Sequence, residues 1–136
     1  MITYENLSYY ASLIGRQRET IANPIAGLKV ILLLRKAEDV LRPYSEMVTI
    51  LTDKTNALLE ELCAEYGVND DTPQAEWPNA FSERRKELVE EYAKEIERLN
   101  EESTGIDSGI SMTTLQSAGI SLTLSDIYNL GDLVGE

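Results

Sequence analysis

Paired carboxylates are the catalytic chemistry that this sequence leaves open. The chain has 136 residues and no histidine, which removes the commonest general base near neutral pH and the commonest metal ligand. Acidic side chains stand next to each other at Asp70-Asp71, Glu90-Glu91 and Glu101-Glu102. Neighbouring residues of a helix point about 100° apart, so such a pair does not converge on one ligand. We therefore interpret these carboxylates as a solvated surface and predict neither a catalytic residue nor a cofactor.

The sequence also predicts no metal site. The loop Asn69–Glu76 holds several oxygen ligands, but it lacks the central glycine and the alternating spacing of a calcium-binding EF-hand. Cys63 is the only cysteine, so it can form neither an intramolecular disulfide nor, without histidine, the usual zinc site. It follows Leu62 near an apolar stripe, where we expect it to act as a small apolar residue. The sequence likewise contains no phosphate-binding loop and no nucleophile elbow.

Three helical segments are predicted to position these residues. Thr3 is a candidate N-cap for a first helix over residues 4–18. Asn23-Pro24 is a clear start signal for a second helix over residues 24–66, because asparagine caps well and proline suits the first helical position. Pro43 lies inside this helix and is expected to kink or break it. A third helix is predicted over residues 80–102.

The second and third helices are predicted to pair as an antiparallel hairpin. After Pro43, spacings of three and four draw one mostly apolar stripe along the second helix: Tyr44, Val48, Leu51, Thr55, Leu58, Leu62 and Tyr66. The third helix has a similar stripe: Leu88, Tyr92, Ile96 and Leu99. The polar loop 68–79 contains two prolines and is long enough to reverse the chain. We therefore expect a mainly α fold, with a short N-terminal helix and this hairpin in a helical domain over residues 1–104.

The C-terminal residues 105–136 differ in composition, being rich in Gly, Ser and Thr and free of basic residues. Two stretches in them combine apolar with polar residues and could pair as a short β-hairpin, 110–112 with 120–124. The alternative is an extended tail with occasional anchors. Thr123 and Asp126 resemble a capping box, which predicts a last short helix over residues 124–134.

This C-terminal segment is the predicted docking site for a partner, by strand addition or as a short helix. Its deletion is expected to abolish assembly and leave the hairpin folded. Trp77 is a second candidate contact, since tryptophan is enriched at interface hot spots; the alternative is that it covers the end of the hairpin. The candidate partner-binding residues are Trp77, Ile110, Met112, Ile120, Leu122, Leu124, Ile127 and Leu130.

The charge distribution argues against direct binding of nucleic acid. The net charge is −12, and residues 68–136 hold fifteen acidic and five basic side chains. Phosphate backbones are bound by clustered Lys and Arg, so we expect no nucleic-acid partner. The longest apolar stretch, Ile25–Leu34, contains Lys29 and is shorter than the roughly 20 residues of a membrane span. We interpret it as a buried helix face and expect no membrane contact.

Several short motifs follow one another along the chain in a characteristic order. They are Asn23-Pro24-Ile25-Ala26, Leu59-Glu60-Glu61-Leu62 with Tyr66-Gly67, Ile120-Ser121-Leu122 with Ser125-Asp126-Ile127, and the terminal Glu136. In this order, and in its acidic third helix, the chain resembles small acidic helical proteins of uncharacterised function from tailed bacteriophages. The resemblance implies a phage setting rather than an activity, since no catalytic motif carries it.

These observations favour a protein that binds other proteins without catalysis. A bacteriophage virion component or assembly factor is the leading hypothesis, with other phage proteins as partners and the virion or host cytoplasm as its location. A homo-oligomer is expected, because the first helix and the Ile25–Leu34 run offer more apolar surface than one hairpin covers. The alternative is an acidic inhibitor that occupies a basic site on a host nucleic-acid-binding protein. An enzyme that uses carboxylates alone is the third hypothesis.

Overall fold

The computed structural model describes residues 1–135, which fall into two compact units. The terminal unit comprises Met1–Tyr44 and the residues from Leu99 onward, and the hairpin unit comprises Ser45–Arg98. The helices and strands are α1 Tyr4–Arg16, α2 Pro24–Tyr66, α3 Asn79–Glu101, β1 Ile110–Ser111, α4 Met112–Ser117, α5 Leu124–Leu130 and β2 Val134–Gly135. This confirms the predicted mainly α fold class. Glu136, which closes the predicted C-terminal segment and the last of the motifs above, lies outside the described residues.

α1 begins at its predicted N-cap. The Thr3 hydroxyl accepts a hydrogen bond from the Asn6 backbone N–H (3.3 Å), and the Asn6 side chain accepts one from the Thr3 backbone (3.1 Å). These two bonds close a capping box and satisfy donors that the first turn of a helix leaves unpaired. The helix ends at Arg16, two residues before the predicted end, and a 3-10 turn follows over Arg18–Thr20.

α2 has the bounds that the sequence predicts. The Asn23 side-chain oxygen accepts hydrogen bonds from the backbone N–H groups of Ile25 (3.0 Å) and Ala26 (3.2 Å), as an N-cap does. The helix continues on both sides of Pro43, so of the predicted kink or break the break is not formed, and the kink stays a prediction. Proline removes one backbone hydrogen bond and crowds the preceding turn, and the burial of Ala37 before it and Leu51 after it offsets this cost.

The predicted β-hairpin between residues 110–112 and 120–124 is wrong. Residues from Met112 onward form α4, because the Ser111 hydroxyl accepts a hydrogen bond from the Thr114 N–H (3.1 Å) and so caps a helix at this point. β1 pairs instead with β2, in parallel, with Ile110 opposite Val134. The two partners in this sheet are separated by more than twenty residues, which no local pattern specifies.

The last helix, α5, agrees with its prediction more closely than the C-terminal strands do. The Thr123 hydroxyl accepts a hydrogen bond from the Asp126 N–H (3.1 Å), and the Asp126 carboxylate accepts one from the Thr123 N–H (2.9 Å). This confirms the predicted capping box. α5 is shorter than predicted, because Gly131 has a positive φ of 53° and a 3-10 turn follows it.

The core of the terminal unit draws on both ends of the chain. Ten of its buried apolar residues precede Ser45 and seven follow Arg98. The C-terminal residues are therefore part of the core, and the alternative of an extended tail is also wrong. The predicted division of the chain after residue 104 runs through this unit.

Two glycines allow close backbone contacts within the terminal unit, one of them between its N-terminal and C-terminal parts. A Cβ atom added at Gly109 would lie 1.8 Å from the carbonyl oxygen of Leu133. One added at Gly119, where φ is +91°, would lie 2.5 Å from the carbonyl oxygen of Thr20. Only glycine fits such positions without moving the backbone. Next to Gly119, the backbone N–H of Ala22 donates to the carbonyl of Ala118 at 3.1 Å.

The hairpin unit pairs the C-terminal part of α2 with α3, as predicted. α2 ends at Gly67, whose φ of +67° lets the N–H of Val68 donate to the carbonyl of Cys63 at 2.9 Å. The hydroxyls of Thr52 and Tyr92 lie 2.8 Å apart along the hairpin. The buried core of this unit consists of Leu62, Val68, Phe81 and Leu88, and Leu59, Cys63 and Trp77 pack against it. Cys63 thus takes part in apolar packing, as expected from the sequence.

Candidate protein-binding surfaces

Among residues 1–135, Asp126 is the one charged residue that is buried. The Tyr9 hydroxyl donates to its Oδ1 at 2.5 Å, and the Thr123 N–H donates to its Oδ2 at 2.9 Å. The hydrogen bond from Tyr9, and after it the one from the Thr123 backbone, hold the pKa of the Asp126 carboxyl below its usual value. This carboxylate accepts a hydrogen bond at each oxygen and links α5 to α1 through Tyr9. Because it stays ionised, it is poorly suited to proton transfer at neutral pH.

The acidic pairs that the sequence leaves open for catalysis are exposed at all six positions. Within the described residues, no three His, Cys, Asp or Glu side chains come together in a group that could hold a metal ion. None of the helices between residues 1 and 135 combines the length and apolar character needed to cross a membrane.

The eight predicted partner-binding residues do not form one surface. Ile110, Ile120 and Leu130 are buried in the core of the terminal unit, so a partner cannot reach them in this fold. The half-buried members are Trp77, Met112, Leu122 and Ile127. Leu124 is 87% exposed on the first turn of α5. Trp77 belongs to the hairpin unit, whereas the other seven residues belong to the terminal unit. For Trp77 and for the accessible C-terminal residues, a role in partner binding stays a prediction.

Trp77 covers the end of the hairpin and also borders a groove. Its ring packs edge-on against Phe81 with centroids 5.2 Å apart, and its indole N–H donates to the carbonyl of Thr72 at 3.3 Å. The Arg85 guanidinium lies 5.4 Å from the centre of the same ring, a cation–π distance. The groove beside it has a volume of about 390 Å³ and is lined by Gln74, Trp77, Ser82, Arg85, Lys86, Val89 and Glu90. Trp77 thus has the packing role that was the alternative to a partner contact.

A row of exposed apolar side chains lies on α2 in the terminal unit. Ile25, Leu28 and Leu32 are 75%, 59% and 59% exposed, and their spacings of three, four and seven residues place them on one side of the helix. Lys29, Arg35 and Lys36 are exposed at similar spacings along the same row. We call these six residues the basic strip. The residues that this part of α2 buries are Ala26, Val30, Leu33, Leu34 and Ala37.

A hollow lies next to the basic strip in the terminal unit. Its volume is about 500 Å³, and its lining is mostly apolar with one cation, Arg18. The residues around it are Arg18, Ile21, Ala22, Asn23, Pro24, Gly27, Leu28 and Ile31. Leu28 belongs to both the strip and the hollow, so a side chain that docks on the strip also has a recess to enter.

A second row of exposed apolar side chains lies on α2 in the hairpin unit. Met47, Ile50 and Leu58 are 39%, 58% and 37% exposed. Asp53 follows Ile50 by three residues and Glu61 follows Leu58 by three, so both exposed carboxylates flank this row. The exposed Lys54 lies within the row, four residues from each of Ile50 and Leu58. We call these six residues the acidic strip.

The residues of the basic strip were not predicted from the sequence. The Ile25–Leu34 run was interpreted as a buried face, with an apolar excess that self-association would cover, and the structure buries only one side of it. A sequence signal was present, because the nine residues of the run other than Lys29 are uncharged and lie on every side of the helix, more than one buried face accounts for. In the isolated chain the second side has no cover.

Comparisons with known proteins give no relative for this chain: no protein family matches it, and no curated protein or solved structure is similar to it. The resemblance to phage proteins therefore stays a prediction.

Proposed function

We propose that this protein acts by binding other proteins, without catalysis, as a structural or assembly component. The observation that carries the proposal is the exposure of Ile25, Leu28 and Leu32 in one row on α2. A contiguous apolar row on a surface otherwise rich in charge marks an interaction site, because its exposure to water is unfavourable. The acidic pairs are exposed at all six positions, which fits the solvated surface that the sequence predicts for them.

The setting that we propose is a tailed bacteriophage, as a virion component or an assembly factor. This part is supported by the order of short motifs from Asn23-Pro24 to Ser125-Asp126-Ile127. The proposed partners are other phage proteins and further copies of this chain. If the protein is a virion component, it should be present in purified particles; an assembly factor should be found only in infected cells.

A photo-crosslinking amino acid in place of Leu28 tests the proposed function. We expect an adduct with a defined protein, identified by mass spectrometry, that is lost when Leu32→Glu is added, because a charge in the row opposes apolar docking. The matched control carries the crosslinker in place of Leu124, which is even more exposed but lies outside the strip. If the two positions gave the same adducts, or neither gave any, the proposed function would be wrong.

A second candidate, an acidic inhibitor of a basic nucleic-acid-binding protein, is favoured by the charge of one unit. Residues 45–98 carry fourteen acidic and six basic side chains, a net charge of −8. Such a surface attracts a basic partner over long range, and the attraction weakens with salt. Binding of this kind should map to the hairpin unit and be insensitive to Leu32→Glu, which separates it from the leading proposal.

A further inference from the structure

We propose that the basic strip binds an acidic amphipathic helix of another protein. The inference rests on the proposed function and names the chemistry of the partner that this site takes. All six residues of the strip belong to the terminal unit, so the site is built within one compact part of the chain.

The strip is the surface of a helix, which restricts the form of what docks on it. Along this part of α2 the backbone groups are bonded within the helix, and Asn23 caps the first N–H groups. A docked strand would therefore find no free backbone edge to pair with. A helix satisfies its own backbone, and its side chains at spacings of three and four interlock with a row such as Ile25, Leu28 and Leu32.

The strip and the hollow beside it indicate the size of the docked helix. At 1.5 Å per residue, the distance along the axis from Ile25 to Lys36 is about 17 Å, or roughly three turns. Leu28 borders both the strip and the hollow of about 500 Å³. One large apolar side chain of the docked helix can therefore enter the hollow while its neighbours contact Ile25 and Leu32.

The exposed cations of the strip select the charge of the docked helix. Lys29, Arg35 and Lys36 form no ion pair with any other of residues 1–135. Arg18, which lines the hollow, likewise has no ion pair within these residues. Carboxylates on the docked helix would supply the opposite charges beside the apolar row, where complementary charges favour one partner over others.

The acidic residues of this part of the chain lie outside the strip. Residues 20–37 include three basic side chains and no acidic one. Glu19 precedes this range, and Glu38 and Asp39 follow it. Asp39 continues the line of the strip, where its carboxylate is paired with the Arg42 guanidinium at 3.3 Å. The strip is thus a basic surface on a chain whose net charge is −12.

Two synthetic peptides test the inference on the full chain. The first, of about fourteen residues or roughly four turns, has leucines at spacings of three and four and glutamates at the other positions. The second has lysine in place of every glutamate. Both compositions favour the helix, so the two peptides differ chiefly in charge. The net charge of the chain favours the lysine peptide, whereas the basic strip favours the glutamate peptide, so the two explanations predict opposite results.

The readout is the adduct formed by the photo-crosslinking amino acid at position 28, because it reports only what lies on the strip. At low salt the glutamate peptide should reach half-maximal adduct at a concentration about tenfold or more below that of the lysine peptide. Added salt should reduce this preference, because exposed charges are screened.

Charge reversal then tests the cations of the strip. With Lys29→Glu and Lys36→Glu the preference should be exchanged, so that the lysine peptide forms the adduct at the lower concentration. The matched control is Lys86→Glu with Lys94→Glu, which makes the same change in net charge on exposed lysines of α3 and should leave the preference as it is. Circular dichroism checks that every variant keeps its helices.

Several results would overturn the inference. The glutamate peptide could form no adduct, the two peptides could form it equally, or the preference could survive the reversal of both lysines. If vesicles of phosphatidylserine bound the chain through Lys29 and Lys36 while neither peptide did, the strip would belong to an anionic lipid surface. An adduct of position 28 with a neutral or basic segment of another protein would also overturn the inference, but it would leave the proposed function standing.

Discussion

The terminal unit and the hairpin unit bury their apolar residues in different ways. The terminal unit has a core of seventeen buried residues that come from both ends of the chain. The hairpin unit has a buried cluster of four, all from two helices and the loop that joins them, and one further buried residue, Leu51. Charge differs as well, because residues 45–98 carry two thirds of the net charge of −12.

The two cores differ in how far apart their contacting residues lie in the sequence. The hairpin unit needs only the closure of one loop of ordinary length, which costs little chain entropy. The terminal unit must bring residues after Arg98 back to residues before Ser45, and it does so with backbone contacts as close as that of Gly119 with Thr20. We therefore expect the terminal unit to be the more sensitive to changes in the C-terminal residues.

The largest effect is expected from removal of residues 105–136. The terminal unit would lose seven of its seventeen buried residues. Six of these are large apolar side chains, and at roughly 1.5–3 kcal/mol for each the loss is about 9–18 kcal/mol, at least as large as the net stability of about 5–15 kcal/mol that a domain has. Hydrogen exchange measured by mass spectrometry should show that protection disappears from residues 1–44 and falls less in residues 45–98. Unchanged protection in residues 1–44 would mean that the C-terminal residues are a dispensable docking arm, as the sequence suggested.

The next largest effect is expected from Gly109→Ala, which adds a single methyl group. Gly109→Ala places its Cβ in the space of the Leu133 carbonyl and should destabilise the protein by roughly 3 kcal/mol or more. Gly67→Ala is the counterpart in the hairpin unit, where no atom lies within 4 Å of the added Cβ and only the positive φ opposes it. Its cost should be roughly 1 kcal/mol. Urea unfolding followed by circular dichroism measures both, and equal losses would contradict the difference between the units.

A smaller, pH-dependent effect is expected at Asp126. The folded state lowers its pKa, so its carboxylate stabilises the protein above the unfolded pKa of about 3.9, and this stabilisation is lost as the pH falls through the lower folded pKa. Asp126→Asn should cost roughly 1–2 kcal/mol at pH 7. The difference from the wild-type free energy of unfolding should shrink as the pH falls from about 4 through the lower folded pKa, below which the Asp126 carboxyl is protonated and, like the amide, neutral.

Asp107→Asn is the matched control for Asp126, since Asp107 is an exposed aspartate of the same unit. It should have little effect at either pH. If Asp126→Asn cost the same at pH 3 as at pH 7, the Tyr9–Asp126 bond would not contribute through the charge of the carboxylate.

The bounds of the long helix could be determined from the sequence because their causes are local. Asn23 and Pro24 start α2, and Gly67 ends it, each through hydrogen bonds or backbone angles that involve only the adjacent turn. The capping boxes of Thr3 and Thr123 are local in the same sense. The stripes at spacings of three and four then predicted the pairing of α2 with α3, since the two helices are neighbours along the chain.

What only the tertiary structure decided concerns residues that are far apart in the sequence. Ile110 pairs with Val134 and not with the stretch 120–124, because the Ser111 cap turns the chain into α4 before a hairpin can form. Tertiary packing also chose which side of the Ile25–Leu34 run is buried, and it left Ile25, Leu28 and Leu32 exposed. A periodic pattern states that a face is apolar, but it does not state whether this chain or another one covers that face.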